Sequence, residues 1–547
     1  MDTKSSLNEL KPNINKILSH KKYKTHYKVY GNLSNKWQIP TILIHGGPGA
    51  THKYFKTIIP LSQYIGPIIV YDQIGSGKST NRYKISTLTL KDYVNQLINL
   101  LKHLKIDKCH LLGHSWGTIL ALEYYLKHPN NVLSIIFYSP TISIKLWQSQ
   151  ADKYILQMKQ NNIKKKDIPM HYINKHIGNI KLLQKYAQTN NNIYKYLWGE
   201  SEYNVNGYIK NYSKISALKK IDIPIHYICG KYDTASPKIV KYLSKKTPNS
   251  TYKIFNNSRH IAHFDEESAF HKHVILYFNS FYEKVLNQKF KIFLNEFLKK
   301  QKKHKNISTQ LITLTILKYR AKHQFEKYNL NNFLKKKISE IDIKKIKIKK
   351  LFDLQALLDY WYYTKLLGYG NKYKPSDKMI KQFMSEKKIK KINHPADAIL
   401  IYIYIRTLNY CDKNQYKYLL KHIPFLKEKS KDINEPQYYA YFLTHIILYD
   451  TQFGKKNEIQ QSSKIALKKL YHFCKYKLKY NRESIDLMGE IILCCKLCNN
   501  YNFPLYSKLI QNIIPSQTFA HYHENSVLVA ATCKWDNYRD IKTKLSQ

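Results

Sequence analysis

Three residues of this chain have the types that acyl-transfer chemistry requires, and they occur in the order Ser115, Asp233, His260. A serine hydroxyl is a poor nucleophile at neutral pH, so it needs a base within hydrogen-bond reach and a third group that fixes the tautomer of that base. Ser115 stands at the centre of Gly113-His114-Ser115-Trp116-Gly117, the small-x-Ser-x-small pattern of a nucleophile elbow. The apolar run His110-Leu111-Leu112 enters this pattern and a helical pattern, Thr118 to Tyr125, leaves it, so the stretch reads as strand, sharp turn, helix. Glycine two residues before and two after the serine lets strand and helix pass closely. Asp233 follows the apolar run Ile225 to Cys229 and the turn Gly230-Lys231-Tyr232, and His260 follows Tyr252 to Phe255 and Asn256-Asn257-Ser258-Arg259. In this scheme Ser115 attacks a carbonyl, His260 takes its proton and later gives it to the leaving group, and Asp233 holds the imidazole.

The elements that must position these residues are legible around them. Thr41 to Ile44 is an apolar strand running into His45-Gly46-Gly47-Pro48-Gly49, and Ile68 to Tyr71 runs into Asp72-Gln73-Ile74-Gly75-Ser76-Gly77-Lys78-Ser79. Leu88 to Leu104 carries apolar residues at 94, 97, 98, 101 and 104 in helical period, and Val132 to Tyr138 is a further buried strand. Strands alternating with helices imply a mostly parallel sheet covered on both faces. Thr25 to Gly31, after a polar leader, reads as an edge strand. The order serine, acid, histidine is that of α/β-hydrolases. The oxyanion of the tetrahedral intermediate would be met by the backbone N–H of Trp116. Gly75 to Ser79 imitates the end of a phosphate-binding loop, but position 72, where that loop needs glycine, is aspartate.

His-Gly-Gly-Pro-Gly at 45–49, Asp-Gln-x-Gly-x-Gly-x-Ser at 72–79 and Gly-His-Ser-Trp-Gly at 113–117 together resemble the proline iminopeptidase family of serine hydrolases, including its tricorn-interacting aminopeptidase relatives. The resemblance covers roughly residues 20–288. It implies an α/β-hydrolase fold, a hydrolase of peptide or amide bonds next to an N-terminal residue, and Gly47 as the second oxyanion donor. It also implies that the helical, polar region from about 142 to 215 is a cap over the active site, with helices from Ile144 to Lys159 and Ile180 to Ala187. Within it, Trp198, Glu200 and Glu202 of Leu197-Trp198-Gly199-Glu200-Ser201-Glu202-Tyr203 are substrate-binding candidates, with Glu202 at the position that meets the free α-amine. Two departures from the family stand out: a short cap, and Thr234 where aminopeptidase relatives often carry a second glutamate. These departures favour, as an alternative, an esterase, lactonase or amidase with the same triad. His263 competes with His260 as the base; the family's Ser-x-His spacing selects His260 and leaves His263 to line the cap interface. His45 and His114 are read as packing and hydrogen-bonding groups around the turns, and Asp72 as the group that fixes the Asp-Gln turn.

The chain has 547 residues, more than one core normally supports, and a formal charge of +54. Arginine, the residue suited to bidentate contacts with phosphates and bases, occupies only positions 82, 259, 320, 406, 482 and 539. The excess lysine follows a bias toward Lys, Asn, Ile and Tyr along the whole chain, so no nucleic-acid role is expected. No stretch approaches the roughly 20 apolar residues of a membrane span, and the first twenty residues lack the apolar core of a secretory signal. The expected compartment is therefore the cytoplasm. The eight cysteines lack the spacing of a disulfide scaffold, and Cys495-Lys496-Leu497-Cys498 lies within an apolar helical run with no second pair at zinc-site spacing. No cofactor and no metal site are expected.

The hydrolase domain is expected to span residues 1–288, closing with an amphipathic helix from Glu266 to Leu286. A lysine-rich connector follows at 289–305, and then an all-α domain at 306–547. In that domain helix starts at Asn393, Asn434, Asn481 and Pro515 lie 33 to 47 residues apart, the spacing of helix-pair repeats. Its partner is unknown, and a binding or scaffold role carried by this half is the alternative from another class. His445, Asp450, Glu490, His521 and His523 are read there as satisfied core or cap groups.

Overall fold

The computed structural model describes residues 10–34, 38–80, 82, 84–177, 180–186, 188–299, 307–339, 351–370, 374–376, 378, 436–500, 503–513 and 522–536. The chain divides into two compact units, the first reaching to Phe278 and the second beginning at Asn279.

The first unit is organised on one eight-stranded sheet: β1 (Ile14–Ser19), β2 (Lys24–Tyr30), β3 (Thr41–Ile44), β4 (Ile68–Tyr71), β5 (Cys109–His114), β6 (Val132–Tyr138), β7 (Ile225–Gly230) and β8 (Ser250–Phe255). Their spatial order is β1-β2-β4-β3-β5-β6-β7-β8. Strands β3 to β8 pair in parallel, and β1 and β2 run antiparallel at one side. The short apolar runs of β3 and β4 are buried along their whole length, as parallel strands covered on both faces must be. This is the α/β-hydrolase fold. The helix Leu90–His103 begins where the backbone N–H of Thr89 donates to the Asp92 carboxylate at 2.9 Å, and it turns Val94, Leu97 and Leu101 toward the sheet core.

One strand goes beyond the sequence reading. The polar leader forms β1, pairing Ile14 with Val29 through Ser19 with Lys24, so β1 is the edge and β2 lies inside the sheet. The alternation that marks a strand is weak here because only Ile14 and Leu18 pack against the core while Ile17 stays exposed. The inserted cap comprises four helices, Ile144–Gln160, Ile168–Ile177, Ile180–Tyr186 and Asn191–Leu197.

The helix that opens at Glu267 does not stop at Leu286 but continues to Lys299. Phe290, Phe293, Leu294 and Phe297 recur at helical spacing and are buried, which keeps the lysine-dense stretch helical through Lys299. Residues 300–306 lie outside the described residues. The described part of the second unit is helical and contains no strand. It includes Ile307–Arg320, Leu351–Thr364, Pro436–Asp450, Gln461–Tyr476, Ile485–Leu497, Tyr506–Ile513 and Tyr522–Thr532. Helix starts near 434 and 481 are observed at Pro436 and Ile485; those expected at 393 and 515 lie outside the described residues. Its core holds an ion pair, Lys496 Nζ to Glu283 Oε1 at 2.6 Å, with both side chains 1 % exposed. The same ammonium donates to the carbonyls of Ala531 and Cys533, and the Tyr506 hydroxyl donates to Glu283, so every charged atom is satisfied. Glu490 accepts from the Thr444 hydroxyl and Asp450 from the Ser463 hydroxyl, as core groups do. The side chains of His521 and His523 lie outside the described residues. The seven described cysteines are buried free thiols. No described helix is long and apolar enough to cross a membrane.

Candidate active site

The three sequence motifs meet at the carboxyl ends of the parallel strands, where open α/β sheets bind ligands. Ser115 follows β5 with φ 54° and ψ −123°, a strained conformation for a residue with a Cβ, and its N–H donates to the carbonyl of Tyr138 at 2.9 Å. A Cβ on Gly117 would lie 2.1 Å from the carbonyl oxygen of Ile44, so only glycine lets the helix Trp116–Lys127 cross β3 this closely. The His-Gly-Gly turn passes directly beside Ser115: a Cβ on Gly46 would come within 3.1 Å of Ser115 Cβ.

Gln73 ties the motifs together. Its backbone N–H donates to His45 Nε2 at 3.0 Å, its side-chain amide donates to the His45 carbonyl, and its Oε1 accepts from the indole of Trp116 at 2.8 Å. Asp72 fixes the turn beside it, accepting from the backbone N–H of Lys78 and meeting the imidazoles of His26 and His52. The N–H of Gly46 is taken by the Tyr54 hydroxyl, whereas those of Gly47 and Trp116 have no partner among the described residues. Free N–H groups beside a serine are what a developing oxyanion requires.

Asp233 follows β7 and His260 follows β8. Their loops are held together by bonds from the N–H of Lys231 to the Phe255 carbonyl and from the N–H of Tyr232 to the Ser258 carbonyl. A Cβ on Gly230 would lie 2.2 Å from the Arg259 carbonyl, so the two loops also need glycine at their crossing. His260 Nδ1 is 2.8 Å from Asp233 Oδ1, which also accepts the N–H of Ala235 at 3.0 Å. Burial pushes the His260 imidazole down to about 3, so the resting ring is neutral, the form able to accept a proton. The same burial pushes the Asp233 carboxyl up, opposed by the facing His176 imidazole and the Ala235 N–H. Among the described residues no hydrogen bond joins the Ser115 hydroxyl to His260, whose Nδ1 is bonded to Asp233. In unliganded sites the nucleophile–base bond is often long and tightens only with substrate.

His263 is not at this site and does not line the cap. Its Nδ1 meets the Tyr138 hydroxyl at 3.0 Å and its Nε2 the Tyr54 carbonyl at 3.1 Å, because the single turn Ala262–Asp265 points it into the core. His114 bridges the Tyr54 hydroxyl and the His260 carbonyl, a supporting role.

The cap covers the site with residues that sequence reasoning partly named. Trp198 is fully buried and meets Trp147 edge-on at 5.4 Å. Glu202 lies 4.0 Å from His176 Nε2, with 24 % of its side chain exposed. Desolvation pushes its carboxyl up to about 7, with Asp233 adding to the shift and Tyr194 opposing it. Glu200, by contrast, is exposed and bonds Asn204, because the chain turns at Gly199 and sends residue 200 outward. Three further residues were not anticipated: Trp147, whose ring stands edge-on to His260 at 5.6 Å; His176, whose ring lies tilted against that of His260 with centroids 4.1 Å apart; and Tyr172, whose hydroxyl meets Thr234 at 2.8 Å. The spacing of Ile168, Tyr172 and His176 on one helix face was the only sequence signal for Tyr172 and His176.

In comparisons with known proteins, a family model described as alpha/beta hydrolase fold matches residues 40–267. A protein named proline iminopeptidase from Heyndrickxia coagulans is 31 % identical over 252 residues, 42 % of this chain and 87 % of that protein. One of the same name from Lactobacillus acidophilus is 31 % identical over 263 residues, 44 % of this chain and 89 % of its own length. Among solved structures, proline iminopeptidase from Mycobacterium smegmatis aligns over 48 % of this chain and 97 % of its own, at 21 % identity and a TM-score of 0.43.

Proposed function

The chain belongs, through its first unit, to the proline iminopeptidase family of α/β-hydrolases, and from that premise we propose that it releases the N-terminal residue of a small peptide or amide with Ser115, His260 and Asp233 as its triad. Ser115 Oγ attacks the carbonyl carbon of that residue while His260 Nε2 takes the hydroxyl proton. The Asp233 carboxylate stabilises the imidazolium, and the N–H groups of Gly47 and Trp116 receive the oxyanion. As the C–N bond breaks, His260 returns the proton to the leaving amine; water then hydrolyses the acyl-enzyme by the same steps in reverse order. Glu202 receives the substrate's ammonium, and Trp147 and Trp198 wall the pocket. The helical second unit serves as an accessory domain. The cytoplasm is the proposed setting.

The observation that carries this reading is the 2.8 Å bond between His260 and Asp233, at the ends of adjacent strands, beside a serine with the strained elbow backbone. Its test is the ratio of kcat/KM for proline or alanine arylamides to that for their N-acetyl counterparts, in the intact protein and in Glu202→Gln. Losing one buried charge-assisted bond costs on the order of 2 kcal/mol, so the ratio should drop roughly thirtyfold in the variant.

One observation favours a second reading. The Thr234 hydroxyl is committed to Tyr172 and His176, so Glu202 is the one cap carboxylate in contact with this cluster among the described residues. A site with a single carboxylate also suits an esterase, lactonase or amidase acting on a substrate without a free amine. A ratio near one in both proteins, with rapid turnover of simple aryl esters, selects that alternative.

A further inference from the structure

His176 lies near the end of the cap helix Ile168–Ile177 with its side chain 1 % exposed. Its backbone carbonyl accepts the N–H of His260 at 2.9 Å and its ring lies tilted against the His260 ring, centroids 4.1 Å apart. Nδ1 is 3.0 Å from Thr234 Oγ1, and Thr234 Oγ1 is 2.8 Å from the Tyr172 hydroxyl. The two hydroxyl protons of this row have one arrangement in which both find an acceptor within it: Tyr172 O–H donates to Thr234 and Thr234 O–H donates to Nδ1. The ring proton is then on Nε2. That atom is buried and has no hydrogen-bond partner among the described residues, and the acceptor it faces is Glu202 Oε2, 4.0 Å away. Burial holds the His176 imidazole well below its ordinary value, so it faces Glu202 as a neutral donor and not as a cation. The other titratable groups around the pair are Asp233, 3.9 Å from His176 Nδ1, the His260 ring, and the hydroxyls of Tyr194 and Tyr172. Among the described residues no lysine or arginine pairs with Glu202.

We propose that His176 is the positioning residue for Glu202: its Nε2–H, 4.0 Å from Oε2 and with its tautomer set by Thr234 and Tyr172, closes on the carboxylate as it ionises and aims it to receive the ammonium of a substrate's N-terminal residue. The proposal rests on the reading of Glu202 as the amine anchor. It gives Thr234 a purpose at the position where a second carboxylate is absent. Thr234 acts on the amine through His176, and its side chain needs no contact with substrate. A hydrogen bond from a neutral donor favours the ionised form of an acid and lowers its pKa.

The test measures KM and kcat from pH 6 to 9 for an alanine arylamide and its N-acetyl counterpart, using full-length wild type, Thr234→Val, His176→Phe and Glu202→Gln. Thr234→Val keeps the shape and removes the hydroxyl that fixes the tautomer. In Thr234→Val and His176→Phe the pH at which the free-amine KM falls should move up by about one unit, giving roughly a fivefold higher KM at pH 7. The change in kcat should be smaller than the change in KM, and the N-acetyl substrate should follow neither shift. The proposal is overturned if the profile is unmoved in Thr234→Val, or if both substrates weaken alike, while Glu202→Gln still abolishes the preference for the free amine. A preference that survives Glu202→Gln removes the anchor itself, and the proposal with it. Should His176→Phe fail to fold, Thr234→Val decides alone.

Discussion

Replacing Asp233 by asparagine separates the two services a triad carboxylate performs, fixing the tautomer of the histidine and stabilising its charge. Oδ1 of Asp233 accepts from both His260 Nδ1 at 2.8 Å and the N–H of Ala235 at 3.0 Å, whereas Oδ2 is buried without a partner. An asparagine that keeps its carbonyl oxygen in the Oδ1 position preserves both bonds, and its NH2 falls where Oδ2 was. The variant should therefore keep the catalytic tautomer and lose the charge. A unit charge about 4 Å from the imidazolium, at an effective dielectric near 20, contributes about 4 kcal/mol. That corresponds to a loss of about a thousandfold in kcat/KM. The unpaired buried NH2 should also lower stability, by about 1–3 kcal/mol. The assay combines arylamide turnover, the rate of fluorophosphonate labelling and a thermal melt. A loss smaller than tenfold in both rates would refute the reasoning, because the imidazolium would then be drawing nothing from Asp233.

Three other outcomes are expected. Because burial pushes Glu202 up to about 7, its carboxyl is neutral below that pH and charged above it; the KM for a free-amine substrate should fall as pH rises through about 7. It should rise again above about 8 as the substrate's own α-amine loses its proton, and an N-acetyl substrate should show neither limb. Gly117→Ala would drive a Cβ to 2.1 Å from the Ile44 carbonyl, a backbone contact that cannot yield. Moving the serine by about 1 Å should cost on the order of a hundredfold in kcat with the melt lowered as well, and unchanged turnover would contradict the elbow geometry. In the helical unit, Lys496→Met strands the Glu283 carboxylate and should destabilise by about 3–5 kcal/mol, measured by urea or thermal unfolding. The double change with Glu283→Gln should recover much of that loss.

Much of the hydrolase unit was legible because its constraints are local. Elbow, glycine turn and Asp-Gln turn are each fixed by backbone contacts among neighbouring residues, and the structure joins them through His45, Gln73 and Trp116. What escaped was set by packing across the fold. β1 is polar because one of its edges and most of its side chains face solvent. The 289–299 stretch looked solvated from its lysines, yet its buried phenylalanines keep it in one long helix. Glu200 and Glu202 differ by two positions, and only the turn at Gly199 decides which faces His176. His176 carries no motif, since its significance comes from Thr234, Asp233 and Glu202, each distant from it in sequence.

The account's central claim is that Ser115 is the nucleophile. The direct measurement is covalent labelling by a fluorophosphonate probe, with the modified peptide identified by mass spectrometry, in the intact protein and in Ser115→Ala. The account predicts a single adduct on Ser115, and in the variant the loss of both labelling and arylamide turnover with the melting temperature retained. Labelling that persists in Ser115→Ala, or an adduct on another residue, would contradict it.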